Sequence, residues 1–108
     1  MEGTVYQNGV LRVPLNGEID HHGARLWRAE LDELIHLHRP EELVLDLQGV
    51  AFMDSAGLGL LLGRYRLMCS LGGRLSLLHA PASCLKMLRL SGADRLICLK
   101  EERNEGSV

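Results

Sequence analysis

A lone serine stands where an apolar, strand-like stretch gives way to a helical one, in AFMDSAGLGLLLGRYRLM, residues 51–68. Asp54 precedes Ser55, and Gly57 and Gly59 follow it. A hydroxyl in such a setting can act as a nucleophile, help to hold a phosphate group, cap the helix or accept a phosphoryl group. Each of these roles requires different neighbours.

Catalysis by Ser55 is disfavoured by the residues around it. A nucleophile elbow has the pattern G-x-S-x-G, but position 53 is Met53. A catalytic triad also needs an acid and a histidine, and His79 is the sole histidine after the serine in the sequence. The chain of 108 residues is too short for the fold that carries the elbow. We therefore expect no enzymatic activity and keep a serine hydrolase as the contrasting class.

The glycines after the serine form a second candidate site. Gly57, Gly59 and Gly63 resemble a dinucleotide-binding fingerprint. That fingerprint needs a tight turn after the strand, whereas QGVAFMDSA, residues 48–56, separates the predicted strand from these glycines and contains no lysine or arginine. We expect instead that the glycines let another backbone approach the second helix closely.

The remaining interpretations make Ser55 a helix cap, a modification site or both. Serine is a preferred N-cap and contributes about 1 kcal/mol. A serine among small residues is also accessible to a kinase, and a phosphate at a helix start would meet free amide groups and the positive end of the helix dipole. It would add a charge of about −1.5 to −2 beside Asp54. A partner surface fitted to a neutral hydroxyl would then reject the modified chain.

Alternating strand and helix patterns position this serine. Strands are predicted at Val5–Gln7 and Leu11–Leu15, joined by an Asn8-Gly9 hairpin turn. Asp20 is predicted to cap a helix that runs to about His38, with an apolar stripe at helical spacing.

The second half of the chain continues the alternation. The predicted elements are a strand at Leu43–Leu47, a helix from Ser55 to Gly72-Gly73, a strand at Arg74–His79, a short helix after Pro81 and a strand at Ile97–Leu99. The order β-β-α-β-α-β-α-β predicts an α/β fold, a small mixed sheet with a parallel core covered by about three to four helices. We expect one domain, residues 1–99, and a polar tail, residues 100–108.

Composition excludes several functions. The formal net charge of −2 provides no basic field for nucleic acid or an anionic membrane. No apolar run approaches the roughly 18 residues of a membrane helix, and no signal peptide is visible. The three cysteines, Cys69, Cys84 and Cys98, have no CxxC spacing. We therefore expect a protein of the reducing cytoplasm in which the cysteines are small core residues and form no disulfides. The five histidines are not spaced for a metal site, and we expect no metal or cofactor.

Three segments resemble the anti-sigma factor antagonists of the STAS domain family. They are LNGEIDHH at residues 15–22, FMDSAGLGLLLGRYR at 52–66 and LSGADRLI at 90–97. The resemblance covers about residues 5–99. The DS-x-GLG core is specific to the family, and GEIDHH together with LGRYR is similar to its sporulation branch, which antagonises the anti-sigma F factor.

This resemblance implies the STAS fold and a protein that acts by partner switching. In the family, the unmodified antagonist binds an anti-sigma factor that is also an ATP-dependent serine kinase, with ADP or ATP bound to the kinase, and the sigma factor is released. The kinase phosphorylates the serine of DS-x-G, which is Ser55 here, and a serine phosphatase reverses the reaction. Asp20 matches a position near the interface, and Asp54, Gly57 and Gly59 match the loop around the serine. The alternative is a STAS scaffold or regulatory subunit of another complex, stressosome-like or transporter-associated.

Two departures from the family pattern affect these expectations. Position 56 is Ala56 where many relatives have a second serine, which removes an alternative acceptor and makes the assignment of Ser55 less ambiguous. Relatives usually continue past the last strand into a C-terminal helix, whereas the tail KEERNEGSV is polar and is expected to fray.

Overall fold

The computed structural model describes residues 3–100. In chain order the elements are β1 (Val5–Gln7), β2 (Val10–Ile19), α1 (His21–His38), β3 (Glu42–Met53), α2 (Ser55–Ser70), β4 (Arg74–Leu78), α3 (Ala82–Ser91) and β5 (Cys98–Lys100), with a 3-10 turn at Ala93–Arg95 before β5. The predicted order and the α/β fold are confirmed. None of the helices in residues 3–100 has the length and apolar character needed to cross a membrane.

The five strands form one mixed sheet in the order β1-β2-β3-β4-β5. β1 pairs antiparallel to β2, and the other neighbours are parallel. Asn8 and Gly9 connect β1 to β2 with φ of 54° and 79°. Two successive positive φ angles suit the twist of a two-residue hairpin, which is why this dipeptide was a reliable turn signal.

One face of the sheet packs against the helices. Strand residues alternate between the two faces, so every second residue of the parallel strands enters the core. The core side chains from the sheet and helices include Leu11, Val13, Leu15, Leu43, Leu45, Leu47, Leu75, Leu77, Leu31, Ile35, Leu61, Met68 and Leu88. The cysteines were expected in the core, but only Cys84 is buried, while Cys69 and Cys98 are exposed, and all three are free thiols.

The strands β2 and β3 are longer than predicted. β2 continues to Ile19 and β3 to Met53, so the segment after Leu47 that was predicted as a loop is strand. The alternation that marks a strand in sequence is interrupted here, because the β2–β3 register shifts between Pro14 and Asn16 and again after Gly17. Pairing between β2 and β3 keeps the ends of both strands extended, although their apolar and polar residues no longer alternate regularly.

The opposite face of the sheet carries two buried carboxylates. Glu42 accepts a hydrogen bond from the Ser76 hydroxyl, and its Oε2 lies 2.9 Å from Lys100 Nζ. Asp46 Oδ2 lies 3.1 Å from an Arg12 nitrogen, and its Oδ1 lies 2.9 Å from His79 Nδ1. The predicted polar tail after Lys100, and with it any C-terminal helix, lies outside the described residues.

These carboxylates are held in the ionised form. Burial acts to raise the pKa of Glu42, but the hydrogen bond from Ser76 and the bond and charge of Lys100 outweigh it, so the pKa lies below its ordinary value. Burial likewise acts to raise the pKa of Asp46, but the contacts of its carboxylate outweigh burial, led by the hydrogen bond that it accepts from His79, so its pKa lies below the ordinary value. Both pKa values are therefore lower in the folded chain than in the unfolded chain.

Acid is expected to destabilise the chain through these two groups. Because their folded pKa values are depressed, the stability they contribute is complete above the unfolded values of about 4 and is lost as the pH falls through the folded values. The check is urea unfolding at pH 7 and at pH 3 for the wild type and Glu42→Gln. The loss of stability in acid should be smaller in Glu42→Gln. The exposed carboxyl of Glu33 provides the control, because Glu33→Gln should lose as much stability as the wild type.

Candidate functional site

The candidate site lies where β2 and β3 end side by side. Ile19 and Met53 are register partners in the parallel pair, and the Asp54 amide donates to the Ile19 carbonyl at 3.4 Å. Asp20 and Asp54 therefore leave the same edge of the sheet as neighbours. The two strand-to-helix junctions thus meet at one edge of the sheet, where the carboxyl ends of parallel strands lie.

Each of the two acids caps the helix that it precedes. Asp20 Oδ1 accepts from the Gly23 amide at 2.9 Å, as predicted. Asp54 Oδ1 accepts from the amides of Ala56 at 2.8 Å and Gly57 at 3.3 Å. Carboxylates at helix N-termini satisfy otherwise unpaired amides and face the positive end of the helix dipole. The two negative charges are thus fixed next to each other by secondary structure.

The prediction that Ser55 caps α2 is wrong. The helix cap is Asp54, which has an extended backbone, and Ser55 is the first helical residue. Aspartate and serine cap about equally well, so sequence preference alone did not fix the helix start to within one residue.

The Ser55 hydroxyl is available to other molecules. The residue is exposed, and its side chain makes no hydrogen bond within the part of the chain that the structure describes. The expectation that a phosphate would meet free amides is also corrected, because Asp54 already accepts from Ala56 and Gly57. A phosphate on Ser55 would instead extend into solvent beside an occupied carboxylate.

The glycines of α2 differ from one another. A Cβ on Gly57 would overlap Met53 and come within 2.9 Å of the Ile19 carbonyl oxygen. Gly57 is buried, and it lets the helix start pack directly on the strand ends, as predicted for the glycines. A Cβ added at Gly59 or Gly63 would have no neighbouring atom within 4 Å. The prediction that these two glycines allow close approach of another backbone is therefore wrong.

Ser55 and His79 do not form a catalytic pair. The Nδ1 of His79 forms a hydrogen bond with Asp46. Asp46 lies in β3 about 20 Å from the end of the strand that precedes Ser55. The site around Ser55 therefore consists of an exposed hydroxyl beside two helix-capping carboxylates.

An exposed aromatic residue that sequence reasoning missed adjoins the site. Phe52 lies in β3 next to Met53, and 49% of it is exposed. Met53 turns into the core, so strand alternation turns Phe52 outward. Recognition of β3 as a strand as far as Met53 would have identified this residue in advance.

The sequence is similar to those of known proteins over most of its length. The sequence profile of the STAS domain matches residues 4–106. A protein of Paenibacillus polymyxa named anti-sigma F factor antagonist is 38% identical over 92 residues, which cover 85% of this chain and 79% of that protein.

Solved structures of the same fold are similar over nearly the whole chain. The unphosphorylated form of the anti-sigma factor antagonist SpoIIAA has a TM-score of 0.78 and 27% identity, covering 95% of this chain and 88% of that one. The phosphorylated form of SpoIIAA, a Bacillus cell fate determinant, has a TM-score of 0.73 and 27% identity, with 95% and 91% covered.

Proposed function

Because this chain belongs to the STAS domain family, we propose that it is an anti-sigma factor antagonist whose unphosphorylated form binds an anti-sigma factor and so releases a sigma factor. The observation that carries this proposal is the free, exposed hydroxyl of Ser55 at the meeting point of two capped helices. The similarity to a Paenibacillus polymyxa protein named for the anti-sigma F factor favours a sporulation sigma F type of pathway in the cytoplasm.

Ser55 is the proposed phosphorylation site. The serine is exposed, leads the helix, and is followed by Ala56 rather than by a second serine. We infer that the partner is an anti-sigma factor with serine kinase activity and bound ADP or ATP, and that a serine phosphatase restores the unmodified chain. A solved relative that exists in unphosphorylated and phosphorylated forms supports this reversible switch.

The proposed partner surface surrounds that serine. Asp20, Asp54 and Gly59 contribute to the exposed or half-exposed rim, and buried Gly57 holds the two strand-to-helix junctions together from below. The surface therefore offers a small neutral group between fixed negative charges. A kinase that positions the hydroxyl for phosphoryl transfer would cover Asp20, Asp54 and Gly59 at this rim.

The experiment is phosphate transfer from labelled ATP by the purified anti-sigma kinase of the same genome. The wild type is expected to accept phosphate, and Ser55→Ala to accept none while it still binds the kinase. Because Asp54 is the cap, Ser55→Ala should change the unfolding free energy by less than the roughly 1 kcal/mol of a lost cap. Ser83→Ala, at an exposed serine near the start of α3, is the matched control and should label like the wild type. Equal labelling of Ser55→Ala and the wild type would refute the site.

A further inference from the structure

A groove of about 390 Å³ lies between α1 and α2 and begins beside Ser55. Ala56 and Gly59 line it near the serine, and Arg66 lines it further along α2. Ala56 to Arg66 corresponds to about 15 Å of helix. The groove is thus continuous with the proposed partner surface and is much longer than one small ion.

The groove is strongly basic. Arg25 and Arg28 line it from α1, Arg64 and Arg66 line it from α2, and no carboxylate is among its lining residues in the described part of the chain. The carboxylate of Asp32, outside the lining, lies 3.0 Å from Arg64 and 3.9 Å from Arg28 and offsets part of this charge. These four arginines are a third of the 12 lysines and arginines in a chain of net charge −2. A concentrated positive patch on an acidic chain favours contact with negative charge.

One of these arginines is buried without a full set of acceptors. The Arg64 side chain is only 7% exposed, and its Nε lies 3.0 Å from Asp32 Oδ1 without the alignment of a hydrogen bond. Arg64 Nη1 has no hydrogen-bond partner within residues 3–100. Burial lowers the pKa of Arg64. The charge of Asp32 opposes this shift, and the charge of Arg28 adds to it. A buried guanidinium donor without an acceptor is costly. The guanidinium of Arg64 also places a positive charge at the wall of the groove, where it favours a negatively charged occupant.

The space for such an occupant comes from two glycines. Gly59 and Gly63 both line the groove one helical turn apart, and a Cβ at either position would meet no atom within 4 Å. Helical glycine is destabilising by about 1 kcal/mol relative to alanine. Neither glycine is required for packing within the chain, so the open space between the arginines fits side chains from outside.

We propose that the groove between α1 and α2 is the docking site for an acidic segment of the anti-sigma factor, whose carboxylates pair with the exposed Arg25 and Arg66. This inference rests on the proposed function. It extends the contact from Ser55 along two helices, and the occupant follows from the charge of the groove, its length and its continuity with the serine surface. A segment seated there would bring the kinase across Ser55.

The test is calorimetric titration with the purified anti-sigma kinase at low and high salt. Arg25→Glu and Arg66→Glu should each weaken binding by about tenfold or more, since each reverses a charge opposite the acidic segment. The affinity of these two variants for the kinase should also depend less on salt concentration than that of the wild type. Gly63→Leu, which fills the groove, should weaken binding without lowering the melting temperature. Arg89→Glu changes an exposed arginine near the end of α3, is the matched control, and should bind within about twofold of the wild type.

A second measurement locates the contact. Amide signals of Gly59 and Gly63 should shift when the kinase is added to labelled chain. Groove variants that bind like the wild type, while phosphorylation of Ser55 still prevents binding, would overturn the docking site and leave the proposed function intact. Failure of the wild type to bind the kinase would overturn both. Shifts at these glycines with inorganic phosphate but none with the kinase would assign the groove to a small anion and also overturn the proposal.

Discussion

Phosphorylation of Ser55 is expected to weaken binding to the anti-sigma kinase by about 100-fold or more while the fold stays almost unchanged. The phosphate adds a charge of about −1.5 to −2 at an exposed position beside the carboxylate of Asp54. Within the chain the new group can remain hydrated. In the complex the phosphate would lose its hydration against a partner surface fitted to a hydroxyl. It would also lie near the negative charges of Asp20 and Asp54. A loss of a few kcal/mol is the usual scale for such a contact, and each 1.4 kcal/mol is tenfold in affinity.

Calorimetry with the phosphorylated and phosphatase-treated chain measures this effect, and phosphatase treatment should restore the affinity. Amide NMR spectra of the two forms test the second half of the prediction. Changes should be confined to residues around Ser55 and Asp20. Changes that spread through α2 and the sheet would show instead that the switch works by moving the helix. Equal affinity of the two forms would contradict the switch altogether.

Gly57→Ala is expected to lower the free energy of unfolding by about 1–3 kcal/mol, although alanine is the better helix former. The added methyl group would overlap Met53 and approach the Ile19 carbonyl oxygen to 2.9 Å. One of these atoms belongs to the backbone of β2, so relief would require the helix start to move away from both strand ends. Urea unfolding monitored by circular dichroism measures the loss.

Gly59→Ala is the matched control for that variant. It makes the same chemical change two residues later in the same helix, where a Cβ would meet no atom within 4 Å. It should therefore stabilise the chain by up to about 1 kcal/mol through helix propensity alone. If both variants destabilised the chain equally, close packing under Gly57 would not be the reason for its glycine.

The sequence determined the elements whose signals are local. The Asn8-Gly9 turn, the Asp20 cap and the apolar stripe of α1 each depend on neighbouring residues, and all three were predicted correctly. The α/β order followed from their alternation, because strands separated by helices pair in parallel. Ser55 was singled out for its position between a strand pattern and a helix pattern.

Only the tertiary structure decided features that depend on residues far apart in sequence. The length of β2 and β3 is set by pairing across shifted register, which no local alternation records. That pairing places Asp20 and Asp54 side by side. It also places the Ile19 carbonyl against α2 at Gly57, where a Cβ would clash, whereas a Cβ on Gly59 would meet no atom within 4 Å. The arginine groove exists because α1 and α2 pack next to each other, which brings together charges that are some 40 residues apart in the chain. Local pattern fixes what each segment becomes, whereas the shape and charge of a surface depend on which segments the core forces into contact.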